Sequence, residues 1–226
     1  MLYWLLYSLR EEFGILNVTR YITFRTAAAS LTALALSLLL GPMMIRKLRE
    51  FQMGQVIRPD GPDTHRSKAG TPTMGGLLIL VAALLPTLLW ADLSNAYIWV
   101  AVLATAAFGA VGLADDYLKV SRRTHDGLLP RYKMGLQVLI ALAVGGTLMV
   151  LASYDLYNTR LIFPFFKNLI PDLGWFYVAF AVAVLVGATN AVNLTDGLDG
   201  LAISTFAVAA AAFTALSYVT GHRVLA

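Results

Sequence analysis

Two adjacent carboxylates, Asp115 and Asp116, sit in the stretch GLADDYLKV (112–120), where a long apolar run gives way to basic residues. Neighbouring carboxylates repel and couple their titrations, so one can hold a proton and act as a base while the other stays charged. A simpler reading makes them a helix-end boundary, with Lys119 three and four residues on and within ion-pairing reach. Two points weigh against that. The pair falls at the C-terminal end of an apolar run, where the helix dipole disfavours negative charge. A carboxylate at full membrane depth also costs about 2.5–3.5 kcal/mol, which cations or a metal in front of it would offset.

Three further stretches carry polar chemistry. NAVNLTDGLDG (190–200) spaces Asn190, Asn193, Asp196 and Asp199 three apart, with Gly197 and Gly200 allowing tight backbone. A single helix cap uses one or two such residues; four suit recognition of a nucleobase, ribose or sugar. HRSKAGTPTMGG (65–76) places Lys68, Thr71 and Thr73 before a Gly-Gly pair at a helix start, a setting that attracts phosphate. It lacks the glycine and lysine spacing of a P-loop. GLLPRYK (127–133) adds Arg131 and Lys133 ahead of another apolar run; flanking basic residues are ordinary there, but these lie opposite the aspartates. His65 and His125 are isolated histidines in basic loops, and His222 carries no signal.

The elements that must position these residues are apolar. Of 226 residues 58% are hydrophobic and only 13% charged, with no cysteine, and mean hydropathy is +0.70. Soluble domains carry roughly 25% charged residues, so lipid is the solvent these segments fit. Six runs approach the roughly 20 residues that a span needs: 22–45, 72–91, 97–114, 134–152, 174–192 and 200–220. Pro86 and Gly145-Gly146 fall inside runs and are tolerated in membrane helices. The expectation is an all-α, polytopic helical bundle forming one domain, with residues 1–20 as a short amphipathic helix and 153–173 on the outer membrane surface. Thiolate metal sites and disulfides are excluded.

The net charge of +4 does not point to nucleic acid, because eleven of the seventeen basic residues fall in two loops, 46–71 and 115–133. The positive-inside rule puts those loops in the cytoplasm and the N-terminus outside. Counting crossings, the 193–199 turn is cytoplasmic as well. Acids, cations and polar readers therefore gather on one side, more than topology requires.

SKAGTPTMGG, ADDYLKV, GLLPRYK and NAVNLTDGLDGLA together resemble, in order along the chain, the signature segments of the phospho-N-acetylmuramoyl-pentapeptide-transferase family. These are enzymes of the bacterial cytoplasmic (inner) membrane, within a superfamily that moves N-acetylhexosamine 1-phosphates to polyprenyl phosphate. The resemblance implies transfer of phospho-MurNAc-pentapeptide from UDP-MurNAc-pentapeptide to undecaprenyl phosphate, giving lipid I and UMP with Mg²⁺. A related UDP-N-acetylhexosamine:polyprenyl-phosphate phosphotransferase is the alternative. By the same resemblance Asp115 and Asp116 are the catalytic pair, one of them deprotonating the lipid phosphate. Lys68, Thr73, Asn190, Asn193, Asp196 and Asp199 fall at positions used around the uridine-diphosphate site, and Lys119 and Lys133 at basic positions that meet phosphates. Membrane lipids, a homodimer, and nucleoside or protein inhibitors are the implied partners. The family runs to about ten spans of roughly 20 residues each, and its later loops supply an acidic Mg²⁺ ligand and a histidine-rich motif. Neither occurs in residues 1–226, so the expectation is an N-terminal portion, with its main metal ligand further on, that is inactive alone in a lipid I assay.

Two competing classes fit less well. A polyprenyl transferase using an Asp-Asp-x-x-Asp diphosphate site would need an aspartate where Lys119 stands. A transporter would carry its ionisable residues near mid-membrane in repeated, broken helices, whereas these acids lie at the ends of runs and no repeat is visible.

Overall fold

The computed structural model of the chain describes residues 1–50, 74–122, 127–163, 166, 168–196 and 200–221. Seven α-helices are formed among them, and five are long and apolar enough to cross a membrane. The chain divides into two compact units, Met1–Thr147 and Leu148–Ala226.

In the first unit, residues 1–20 fold as α1 (Leu2–Ser8) followed by two 3₁₀ segments, Leu9–Glu11 and Gly14–Arg20. A single amphipathic helix is not what forms: Phe13 is extended (φ −123°, ψ 92°) and Gly14 restarts the chain, so the second 3₁₀ segment packs back on α1. Tyr3 and Thr19 are buried by this fold-back, and the Arg25 guanidinium lies 4.4 Å from the Tyr3 ring centroid. The Met1 ammonium donates to the Leu88 carbonyl at 3.1 Å, a cation at the negative end of a helix dipole.

The helix so capped is α3 (Gly76–Trp90), which packs against α2 (Ile22–Glu50) and α4 (Ala96–Arg122). Hydrophobicity gives membrane helices little reason to associate, so close packing and polar contacts hold them. At the α2–α3 contact Gly41 is buried, with the Leu78 Cδ2 at 3.8 Å from where its Cβ would stand. Trp90 Nε1 donates across to Thr32 Oγ1 at 3.0 Å, while the Thr32 hydroxyl donates to the Ala28 carbonyl at 2.7 Å. At the α3–α4 contact a Cβ on Gly109 would stand 2.6 Å from the Leu80 methyls. Leu80 fills the space that a side chain would occupy.

Run 72–91 is shorter as a helix than hydropathy alone predicts. Met74 has a left-handed backbone (φ 72°), so α3 begins only at Gly76 and spans 15 residues. At 1.5 Å per residue that is roughly 22 Å, short of the roughly 30 Å hydrocarbon layer. In contrast α4 runs eight residues past the end of its apolar run, to Arg122. Helix formers and i, i+3/i+4 charge pairs in ADDYLKVSR sustain it. The first unit also holds the start of α5 (Pro130–Ser153), where proline occupies the first helical position.

In the second unit α5 ends at Ser153. Two residues on, Asp155 has a left-handed backbone (φ 55°), and the Leu156 N–H bonds back to the Leu151 carbonyl at 2.9 Å, a helix-terminating arrangement. The following segment is pinned by an antiparallel bridge between Arg160 and Asp172 and by a Leu161 N–H to Pro171 carbonyl bond of 3.0 Å. The hydroxyls of Tyr157 and Tyr177 share a short hydrogen bond. α6 (Phe176–Thr195) and α7 (Leu201–Gly221) then follow, in contact with each other. Gly200 takes a left-handed backbone (φ 80°) just before α7, a conformation glycine adopts without strain.

Candidate active site

The aspartates lie inside α4, not at its end, because the helix continues to Arg122. The dipole of the last turn is met instead by Lys119 and Arg122. Asp115 stands 19 residues after Ala96, roughly 29 Å along the axis, so a helix of this length brings it to the edge of a hydrocarbon layer about 30 Å thick.

Successive residues of a helix point about 100° apart, and the two carboxylates meet different surroundings. Asp115 is buried, 6% exposed. Its Oδ1 accepts the Leu128 backbone N–H at 2.8 Å. Its Oδ2 faces both Lys119 Nζ, at 2.8 Å, and Lys133 Nζ, at 3.3 Å. Asp116 keeps 32% of its side chain exposed, and its one described ion pair is to Lys119 at 3.4 Å. Two acids and two lysines thus neutralise each other locally, the condition under which charge survives near an apolar phase. Lys119 is a partner to both aspartates as well as a cation available to a ligand.

Lys133 comes into the cluster from the first turn of α5, where Tyr132 and Lys133 donate their N–H groups to the Leu129 carbonyl at 2.9 and 3.1 Å. Arg131, its neighbour, is exposed and turns to the Tyr132 ring, 5.1 Å away. The spacing of charges foretold the Asp–Lys119 pairs. Nothing in it marked Leu128 or Gly127, whose roles rest on backbone and on a missing side chain; the only signal was an Asp-Gly turn just ahead of Pro130.

In the second unit α6 runs to Thr195, so Asn190 and Asn193 share a helix face, and Asp196 caps the helix with its N–H on the Val192 carbonyl at 3.2 Å. Asn190 Nδ2 donates to the Val186 carbonyl at 2.8 Å. Asn193 and Asp196 are exposed. Lys68, Thr73 and Asp199 lie outside the described residues.

Among the described residues no group of three or more His, Cys, Asp or Glu side chains could hold a metal ion. Asp115 is committed to two lysines and an amide. Asp116 is the member of the pair that could share a divalent cation, which suits Mg²⁺, an ion commonly held by one or two carboxylates together with substrate phosphates and water.

Comparison with known proteins identifies the setting of this cluster. The model of glycosyl transferase family 4 matches residues 98–226, and signature 1 of phospho-N-acetylmuramoyl-pentapeptide-transferase matches residues 68–80. A phospho-N-acetylmuramoyl-pentapeptide-transferase of Koribacter versatilis is 53% identical over all of this chain. One from Pelobacter propionicus is 52% identical over all of it, and one from Desulfatibacillum aliphaticivorans is 55% identical over 98% of it. The chain spans 64%, 62% and 61% of the length of these three relatives. With the family model covering residues 98–226, both the acidic pair and the 190–200 turn included, the chain belongs to glycosyl transferase family 4.

Proposed function

We propose that this chain forms part of a membrane phosphoglycosyl transferase that moves phospho-MurNAc-pentapeptide from UDP-MurNAc-pentapeptide to undecaprenyl phosphate, yielding lipid I and UMP. The observation that carries the reading is the lysine-paired aspartate dyad at the membrane-edge level of α4, in a family 4 chain about half identical to transferases of that name.

The reaction forms a bond between an oxygen of the lipid phosphate and the sugar-bearing phosphorus of the donor, and breaks the diphosphate link to release UMP. Such transfers depend on positioning and on neutralising charge. Asp116, the more exposed carboxylate, takes the proton of the lipid phosphate. Lys119 and Lys133 offset charge on the phosphates. Asn190, Asn193 and Asp196, with Lys68, Thr73 and Asp199, read the uridine-diphosphate end of the donor. Mg²⁺, shared by Asp116, would supply further charge neutralisation. The excess of basic residues in the stretches 46–71 and 115–133 supports a reading in which this chemistry faces the cytoplasmic side of a bacterial inner membrane, with the N-terminus outside.

The test is a lipid I assay with the full-length protein in detergent or liposomes, following both lipid product and UMP. Asp116→Asn should lower kcat about 10³-fold, within the range for a lost general base, while the protein still folds in membranes. Near-normal turnover of Asp116→Asn would remove the assigned role. Transfer from UDP-N-acetylhexosamines but not from UDP-MurNAc-pentapeptide would move the assignment to the related phosphotransferases.

A further inference from the structure

Residues 127 and 128 press on Asp115 in two independent ways. A Cβ at Gly127 would stand 2.8 Å from the Asp115 Cγ and 2.8 Å from its backbone oxygen, and closer still to Oδ1. No real side chain tolerates such contacts, and the backbone oxygen cannot rotate away as a flexible side-chain end could. The next residue, Leu128, donates its N–H to Oδ1 at 2.8 Å. This seat fixes the start of α5, since Leu129 accepts the N–H bonds of Tyr132 and Lys133. Lys133 then extends from the first turn of α5 to Oδ2 at 3.3 Å. A lysine in a first turn opposes the helix dipole, and the buried carboxylate beside it offsets that.

We propose that Gly127 is a positioning residue for phosphoryl transfer. Its missing side chain lets the 127–128 backbone close on Asp115. Asp115 thereby becomes the anchor that holds Lys119 and Lys133 in place, and Asp116 is the member of the pair left to meet the reactants. The inference rests on the transferase reading above and divides the labour of the two aspartates, which the sequence leaves equivalent.

The experiment uses the full-length enzyme with UDP-MurNAc-pentapeptide and undecaprenyl phosphate, comparing wild type, Gly127→Ala, Asp115→Asn and the double variant, with kcat and KM measured separately. Gly127→Ala should lower kcat/KM about 10²-fold, the cost of misplacing a reacting group by an ångström. Part of that loss should be a rise in the KM for undecaprenyl phosphate, because the displaced lysines meet its phosphate; a smaller folded fraction lowers apparent kcat and leaves KM alone. In the Asp115→Asn background the same substitution should cost less than about threefold, since residues acting through one contact are not additive. Wild-type kinetics for Gly127→Ala, or an equal loss in both backgrounds, would overturn the proposal. If Gly127→Ala does not accumulate as folded protein, the cycle between Lys133→Met and Asp115→Asn takes its place, and fully multiplicative losses there would overturn it. Wild-type protein that makes no lipid I sinks the transferase reading itself and this inference with it, an outcome distinct from the other two.

Discussion

Asp115 in the first unit and Asp172 in the second are assembled from the same parts and put to different ends. Each accepts a backbone N–H from a nearby turn, Leu128 for Asp115 and Gly174 for Asp172. Each faces a basic side chain. Asp115 is buried with one lysine at 2.8 Å and another at 3.3 Å, all three on helices. Asp172 leaves 55% of its side chain exposed, holds Arg160 only at 3.9 Å, and takes its closest bond from the Thr159 hydroxyl at 2.5 Å. Burial makes the difference: a screened pair contributes little, whereas a desolvated one is costly to break. Asp172 staples a loop to itself; Asp115 joins two helices and a turn, and charge arrives there with its position fixed.

The contrast can be tested in descending order of effect. Asp115→Ala leaves Lys133 facing no acid among the described residues and should cost about 3 kcal/mol, the low end for a broken buried pair because Lys119 is 37% exposed. Thermal unfolding in detergent measures it, and a shift no larger than that of Asp172→Ala would abolish the distinction drawn here. Lys133→Met should cost less, about 1.5 kcal/mol, since Asp115 keeps Lys119 at 2.8 Å and the Leu128 amide. A loss equal to that of Asp115→Ala would make Lys133, not the aspartate, the centre of the cluster.

The smallest effect belongs to Asp172 and is one of pH. The Thr159 hydroxyl, the Gly174 N–H and Arg160 hold its carboxyl below the usual carboxylate range. A carboxyl depressed in the folded state contributes above its unfolded pKa, and the contribution is lost as pH falls through the folded one. Hydrogen exchange at the Gly174 amide should therefore stay slow at pH 5 and quicken only below the ordinary carboxylate range. Quickening already at pH 5 would show that Asp172 does not hold this turn.

Much of this was legible in the residues. Hydropathy located five membrane-length helices to within a few residues at most ends, because an apolar run of that length has few other uses. Where it failed, local backbone decided: the left-handed Met74 shortens α3, and good helix formers carry α4 beyond its apolar run to Arg122. The Asp115–Lys119 and Asp116–Lys119 pairs followed from i+4 and i+3 spacing. Lys133 was visible as a cation opposite the aspartates, but its bond to Asp115 spans 18 residues and depends on a turn that no charge pattern encodes. The inequality of Asp115 and Asp116 was hidden for the same reason, as burial is a property of what folds over a residue.

The close fit of Gly109 against Leu80 has a reach beyond the apolar contact itself. Gly109 and Asp115 lie six residues apart on one unbroken helix, roughly 9 Å along its axis. A stiff rod seated at one point fixes the height of everything further along it. The notch that admits Leu80 therefore acts as a depth gauge, setting how far the acidic pair stands from the α3–α4 contact before any charge has found its partner.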